Sequence, residues 1–524
     1  MLLAGPPVFA FRAQVCTCIL VLWSASSARG ATSYTFTTLA RSGDVVNGKT
    51  LNSLFASAMN NNGTVVFMAT VNCGVPGGCT AIYQTSVGSA PLPVATRGTV
   101  IAGQSLGGAF NPKIDDSGTI LFNCVLNVGV GVGIGACTQS AVLAKPGETI
   151  GGKTIPSIVD TWISGNGAIV ISGQSNRFSP ALDPGTALVA DSLFTPTGFL
   201  LKTCESLISG TFFTPCDSRG AAGDTISGKT LISIGFPTIN NSGAIAFLGG
   251  LSLGNNAIFS LSSLLASTGA TIGGHTLTNI GIPLINNTGT IVFKGEYSGV
   301  NGVAGIFTPS AALIQTGDTI DGHVLDAIVG PTGINDSGSI LFISHFQAQP
   351  GVPQGWGIFT NSDLVIREGD TIGGKTTTII TPVWINNNGS ILLGTQFSDG
   401  TQAVVLAQPG PSVAIAVKGD ESPAVIKSES NGKIPVAILS NLVFDAATSV
   451  DRTSLTFGRT GNESSLAFCS LGQYDVNGDG RPDVLCHFDT QLTGLKQGDT
   501  TAVLKGKTTA GTPFSASAAI RVLH

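Results

Sequence analysis

Apolar residues in this chain fall in short runs, and the runs recur. A strand that alternates small or polar with apolar residues follows a turn of the form I-N-N-x-G. The pattern is MNNNGTVVF at 59–67, IDDSGTILF at 114–122, ISGNGAIVI at 163–171 and INNSGAIAF at 239–247. It continues as INNTGTIVF at 285–293, INDSGSILF at 334–342 and INNNGSILL at 385–393. The turn glycines are Gly63, Gly118, Gly167, Gly243, Gly289, Gly338 and Gly389. Their spacing is about 50 residues, the period of a repeat architecture. One longer gap, before Gly243, holds an insertion around 174–216. Asn and Asp tolerate left-handed backbone and Gly adopts it freely, so each turn reads as a hairpin connection.

Each unit predicts four short strands. In the fourth they are TLISIGFPTI, AIAFLGGL, NAIFSLS and SLLAST. Four-stranded units at this period predict an all-β, seven-bladed β-propeller, because one blade alone buries too little core. An open β-solenoid is the alternative. The seventh unit lacks an evident fourth strand after TQAVVLAQPG at 401–410. SYTFTTLARSGD at 33–44 resembles the ending ALIQTGD at 312–318, and is expected to supply that strand and close the ring.

Each unit opens on a segment such as GDTISGKT at 223–230, a formal match to the phosphate-binding G-x-x-x-x-G-K-[ST]. It recurs as GDVVNGKT at 43–50, GETIGGKT at 147–154 and GDTIGGKT at 369–376. A true phosphate loop joins a strand to a helix. Here a strand follows, and the slot also reads TVIAGQS, ATIGGHT and DTIDGHV. These segments are turns between blades. Their recurring Asp44, Glu148, Asp224, Asp318 and Asp370, with Lys49, Lys153, Lys229 and Lys375, are either solvated or a charged rim of a central channel.

Composition narrows the function. Charged residues are 10% of the chain and the net charge is −5, with no basic cluster, which disfavours nucleic acid. Arg12, the apolar run VCTCILVLW at 15–23 and the small residues SASSARGA predict a signal peptide over 1–30. No later run is long enough for a transmembrane helix. Outside Cys16 and Cys18, eight cysteines lie as near neighbours: Cys73/Cys79, Cys124/Cys137, Cys204/Cys216 and Cys469/Cys486. In an exported protein these are expected to be four disulfides. The expected location is secreted or at the cell surface.

The N-x-x-G-x-x-x-F pattern resembles a family of exported bacterial proteins with tandem N-x-x-G-x-x-A-F repeats. Asn240, Gly243, Ala246 and Phe247 fit it completely. The third and seventh units lack the final Phe, and the second has Asp115 for Asn. The resemblance covers 42–410 and implies a secreted or surface protein of undefined role. Members often carry a C-terminal sorting anchor; the ending SAAIRVLH does not suggest one.

The repeat stops near 410, with QPGP at 408–411 as an expected linker. In 411–524, NGKIPVAILS, SLTFG, DVLCHF and TAVLKGKT read as strands of a small β-sandwich. SNGKIPVAILS, VDRTSLTFG and DVNGDGRPDVLCHFDTQLTGLKQGDT also resemble an accessory C-terminal module of exported bacterial proteins, which implies a structural domain. In DVNGDGRPD, Asp475, Asn477, Asp479 and Asp483 take positions 1, 3, 5 and 9, and Gly480 takes position 6. Hard oxygen ligands at this spacing suit Ca²⁺, with Arg481 offering its carbonyl. Position 12 is Cys486, so the loop departs from an EF-hand. An Asp/Asn/Gly turn without metal is the alternative.

Catalytic signals are sparse. GQSLG at 103–107 matches a nucleophile elbow, but Ser105 lies in a blade junction. Of the five His residues, His275 and His323 occupy the Lys slot and His345 stands alone. Trp162, Trp356 and Trp384 could cluster. The N-x-[ST] triplets at Asn62, Asn240, Asn286, Asn335 and Asn388 fall on the turns, where turn chemistry explains them. The expected function is extracellular binding or scaffolding of a protein or polysaccharide, without catalysis. The alternative is a propeller hydrolase or lyase acting on polysaccharide, which would need carboxylates and an aromatic wall in the channel.

Overall fold

The computed structural model describes residues 33–524 apart from 75–77, 128–131, 178–185, 204–205, 210–211, 215–222, 252–254, 298–302, 350–351, 420, 442–443, 473 and 524. The expected signal peptide and the Cys204/Cys216 pair lie outside the described residues.

Two-residue turns open the units, as their Gly content dictates. Asn47 and Gly48 take φ of 47° and 74°, so Val46 pairs with Lys49. Ser227 and Gly228 do the same between Thr225–Ile226 and Lys229–Thr230. Both central residues at positive φ match the right-handed twist of a tight hairpin. The phosphate-loop lookalikes are therefore hairpins. Each leads into an inner strand, such as Lys49–Met59 or Lys375–Ile385, and on to the I-N-N-x-G turn.

After that turn the sheet is antiparallel. In the first unit Lys49–Met59 pairs with Val65–Val71, then Cys79–Thr85, then Leu92–Ala95. The repeated Phe explains itself in the core. Phe247 stands opposite Phe259, rings 5.7 Å apart; Phe293 and Phe307 are 6.2 Å apart, and Phe342 and Phe359 5.8 Å. These stacked pairs are fully buried, and each contributes about 0.5–1.5 kcal/mol beyond its area. In the last unit Tyr34–Arg41 pairs with Gln402–Pro409, Tyr34 opposite Pro409. The amino-terminal strand thus completes that sheet. The strand also corrects the expected linker: Gln408 and Pro409 are paired, and the chain leaves the sheet only at Gly410.

The inner strands pack each on the next, from Lys49–Met59 through Gly108–Ile114, Lys153–Ile163, Ser233–Ile239, Leu284–Ile285, His323–Ile334 and Lys375–Ile385 back to the first. This region is propeller-like. Beyond it two four-stranded sheets share one core. One contains Ala414–Val417, Lys433–Leu439, Val484–Asp489 and Leu466–Cys469. The other contains Ala424–Lys427, Pro513–Leu523, Thr501–Thr508 and Val450–Gly458. Val436, Ile438, Phe457, Phe488, Leu504 and Phe514 fill the space between, a sandwich-like arrangement. Among the described residues three disulfides are present: Cys73–Cys79, Cys124–Cys137 and Cys469–Cys486. No helix among the described residues is long and apolar enough to cross a membrane.

Candidate functional site

The asparagines of the turns do more than turn the chain. Among the residues of the I-N-N-x-G turns only the glycines have positive φ, Gly63 at 79° and Gly243 at 80° for example, while no Asn or Asp of these turns does. The expectation that Asn supplies left-handed backbone is thereby corrected. The first Asn of each turn is instead a buried bracket. Asn240 Oδ1 accepts from the amides of Ser242 and Ala244 (3.0 Å each), and its Nδ2 donates to Asn286 O (3.0 Å). Asn286 Nδ2 donates to Asn335 O (2.9 Å), Asn335 Nδ2 to Asn386 O (3.2 Å) and Asn386 Nδ2 to Asn60 O (3.3 Å). Asn60 Nδ2 then reaches Asp115 O (3.0 Å). Where Asp115 and Ser164 replace Asn, the Asp116 amide donates to Gly165 O (2.8 Å) and Asn166 Nδ2 to Asn241 O (2.6 Å). The circuit closes on itself.

The second turn position forms a parallel circuit. The Asn61 amide donates to Asp116 Oδ1 (2.9 Å), Asn241 to Asn287 Oδ1 (2.9 Å) and Asn287 to Asp336 Oδ1 (2.8 Å). Asp336 donates to Asn387 Oδ1 and Asn387 to Asn61 Oδ1, each 2.9 Å. Asn240, Asn286 and Asn335 are buried with both amide ends engaged, so turn chemistry accounts for those N-x-[ST] triplets.

These turns and the ends of the inner strands enclose a cavity of about 100 Å³. Asn61, Asp116, Asn287, Asp336 and Asn387 edge it, with Trp162 and Trp384 inside. The two indoles stand on the third and seventh units, yet their rings are 5.8 Å apart and meet across the axis. Ala58 and Gly333, both small, hold the matching strand position on the units flanking Trp384. Trp356 does not join them; it lies 5.3 Å from His345, whose Nδ1 is 2.7 Å from Asp326 Oδ1.

The cavity's carboxylates are committed. Asp116 accepts from the Asn61 amide and from Asn61 Nδ2, both at 2.9 Å. Asp336 accepts from the Asn287 amide (2.8 Å), Asn287 Nδ2 (2.9 Å) and Asn387 Nδ2 (2.6 Å). The recurring acids of the hairpins are elsewhere. Asp44, Glu148, Asp318 and Asp370 each accept the amide three residues back, from Arg41, Lys145, Gln315 and Arg367. Asp224 accepts from Lys202 across the insertion. None of these acids lines the axial cavity. Ser105 is exposed in the short hairpin strand Gln104–Ser105.

The DVNGDGRPD loop is organised from within. Asp475 accepts from the amides of Asp479 (3.0 Å) and Gly480 (2.9 Å), and Asn477 Oδ1 from Asp479 (3.3 Å). Asp479 accepts from the Arg481 amide (2.9 Å). Asp483 is buried and anchors the loop, taking the Ser440 and Val476 amides at 2.8 Å each. Among the described residues no three His, Cys, Asp or Glu side chains converge to hold a metal ion. A cation here would depend on the Asn477 and carbonyl oxygens too. A carboxylate has about four lone-pair positions, so the amide bonds to Asp475 and Asp479 leave some for a cation, and the oxygens present fit a hard ion.

Residues 259–441 match a family described as a family of unknown function, DUF7453. The match covers less than half of the chain. No curated protein matches it. Solved structures overlap only loosely. Polysaccharide lyase Uly1 overlaps at TM-score 0.33 and 10% identity, over 73% of this chain and 99% of that one. The Dos1 propeller gives 0.31 and 9%, over 72% and 95%. An exo-β-1,3-galactanase from Phanerochaete chrysosporium gives 0.23 and 10%, over 93% and 94%. At such values the likenesses carry no argument about activity.

Proposed function

We propose that this chain is an exported binding or scaffolding protein. In this reading a signal peptide at 1–30 precedes a seven-bladed propeller at 31–410 and a calcium-stabilised sandwich at 411–524. The observation that carries it is the axial cavity, to which all seven units contribute and whose carboxylates are tied to neighbouring amides. An acid or base must reach a substrate proton, and Asp116 and Asp336 are held by two and three amide donors. A cavity of about 100 Å³ takes the tip of a ligand, and a polymer would not lie in it. These features favour binding over the polysaccharide hydrolase or lyase.

The test is binding and turnover on the same samples, using soluble polysaccharides and extracellular matrix proteins. Saturable binding without turnover, lost in the double variant Trp162→Ala and Trp384→Ala, supports the reading. Polysaccharide cleavage abolished by Asp116→Asn or Asp336→Asn overturns it. For calcium, Asp475, Asn477, Asp479 and the Arg481 carbonyl are the proposed ligands, with Asp483 as a ligand only through the lone pairs its two amide bonds leave. Calorimetry on the intact chain should give a dissociation constant of ~10⁻⁴–10⁻³ M, lost when Asp475 and Asp479 become Ala. Titration of the intact chain without a binding isotherm would make the loop an ordinary turn.

A further inference from the structure

In six units an apolar side chain is exposed on the inner strand or just ahead of it. Phe55, Val159, Phe236, Ile282, Val329 and Ile379 are between 45% and 64% exposed. Each lies three to six residues before the turn, on the first, third, fourth, fifth, sixth and seventh units. Single exposed apolar residues are ordinary. Recurrence in the same stretch of nearly every unit is not, and contiguous apolar surface marks a binding region. The faces of each sheet are covered by its neighbours, so an inner-strand side chain meets solvent along the axis. All six precede the Trp162 and Trp384 position in their units, so around a ring of inner strands this belt falls on the far side of that pair from the turns and outside the cavity between the turns. Phe236 holds its place with φ of 50°, a left-handed conformation that costs a bulky residue about 1–3 kcal/mol.

The unit missing from that set contributes a cation. Lys113, on Gly108–Ile114, places its ammonium 5.4 Å from the centre of the Trp162 ring and donates to Asn111 Oδ1 (2.8 Å). Asn111 has φ of 54°, and its Nδ2 donates to Asp160 Oδ1 (2.7 Å), which also accepts the Thr161 amide (2.8 Å). Among the described residues no carboxylate oxygen lies within ion-pair distance of Lys113. An ammonium has three N–H donors, so two have no protein acceptor among the described residues. Surrounding protein pushes the lysine pKa down, with Asp160 opposing, although the side chain keeps some exposure. A cation so enclosed, with one neutral acceptor and an indole face, is incompletely compensated.

We propose that the axial channel binds an apolar molecule ending in a carboxylate, its chain against the belt and its anion on Lys113. The occupant follows from the complementary parts: one unpaired cation at the floor and apolar walls above it. The inference rests on the reading of the chain as a binding protein and names the ligand class.

The probe is dodecanoate below its micelle concentration, titrated into the intact mature protein and followed by calorimetry and by tryptophan fluorescence, since Trp162 lies under the ammonium. Dodecanol carries the chain without the anion, and acetate the anion without the chain. The expected result is saturable dodecanoate binding, at least tenfold weaker for dodecanol and acetate. It should be at least tenfold weaker in Lys113→Met, several-fold weaker in Phe236→Asn, and retained in Lys113→Arg. Equal binding by wild type and Lys113→Met would overturn the proposal, as would acetate matching dodecanoate or no binding by the wild type. If Lys113→Met does not fold, the Phe236→Asn and Lys113→Arg comparison decides. Failure here, with Trp384-dependent binding of another ligand intact, would leave the binding-protein reading standing. Polysaccharide turnover would remove that reading and leave the Lys113 assignment to its own titration.

Discussion

Removing one buried asparagine measures what the circuit contributes. Asn335 is 4% exposed. Its Oδ1 accepts from the Ser339 amide (2.8 Å) and Ser337 Oγ (2.7 Å), and its Nδ2 donates to Asn386 O (3.2 Å). Asn335→Ala removes three hydrogen bonds at about 1 kcal/mol net each and strands a buried amide and carbonyl, so the expected loss is about 3 kcal/mol. For a domain of several hundred residues that is a fall in Tm of roughly 3–5 °C by scanning calorimetry. Asn335→Asp keeps both acceptor bonds and loses only the inter-unit donor, so it should cost about half as much. The second unit already carries Asp115 in this slot, accepting from the Thr119 amide and Ser117 Oγ at 2.7 Å each. Asn62, exposed and bonded only through Nδ2 to Asp116 O (2.8 Å), is the control, with a loss below about 0.5 kcal/mol. An Asn335→Ala protein melting within a degree of wild type would refute the reasoning. So would Asn335→Asp proving as harmful as Asn335→Ala, because the local turn bonds would then count for nothing.

Three further outcomes follow. Deleting Tyr34–Arg41 leaves Gln402–Pro409 with an unpaired edge, so size-exclusion chromatography should show association or aggregation where the intact chain elutes as one species. Replacing both Cys469 and Cys486 by Ala opens a loop with a sequence separation of 17; in the chain-entropy model that lowers sandwich stability by about 3 kcal/mol, read by denaturant titration against the oxidised, disulfide-bonded wild type. Burial lowers the folded-state pKa of Lys113, so the unfolded chain binds that proton more tightly. Its stability penalty is full below the lowered value and disappears as pH climbs through it toward the ordinary lysine range. Lys113→Met should therefore be the more stable protein at neutral pH, with the gap closing at alkaline pH in parallel melts.

The repeat, its glycines and the closing strand were legible because each is a local signal: a period, a φ requirement, a strand with no partner in its own unit. The asparagine circuits were not. Asn240 and Asn286 meet across neighbouring units, and sequence shows only that Asn suits a turn. The hairpin acids left two readings open, solvated turns or a channel rim, and the recurrence of Asp44, Asp318 and Asp370 reflects a bond to a backbone amide three residues away. Trp162 and Trp384 could have been paired by aligning the units on the residue before the turn. That alignment also exposes Lys113 as the charged member of a position otherwise held by Ala58, Trp162, Thr238, Leu284, Gly333 and Trp384. Trp356 falls at a different place in its unit, which is why it faces His345.

The Gly410 amide donates to Ser33 O at 2.7 Å, beside the Tyr34–Pro409 pairing. Entry to and exit from the repeat region are thus neighbours on one antiparallel pair. Tension applied between the amino end and the sandwich would peel this pair apart one hydrogen bond at a time, starting at Gly410, and the other sheets of the repeat region would bear little load. If the two ends are tethered to different partners, the closing strand acts as a mechanical fuse that opens at low force and can reseal when slack returns.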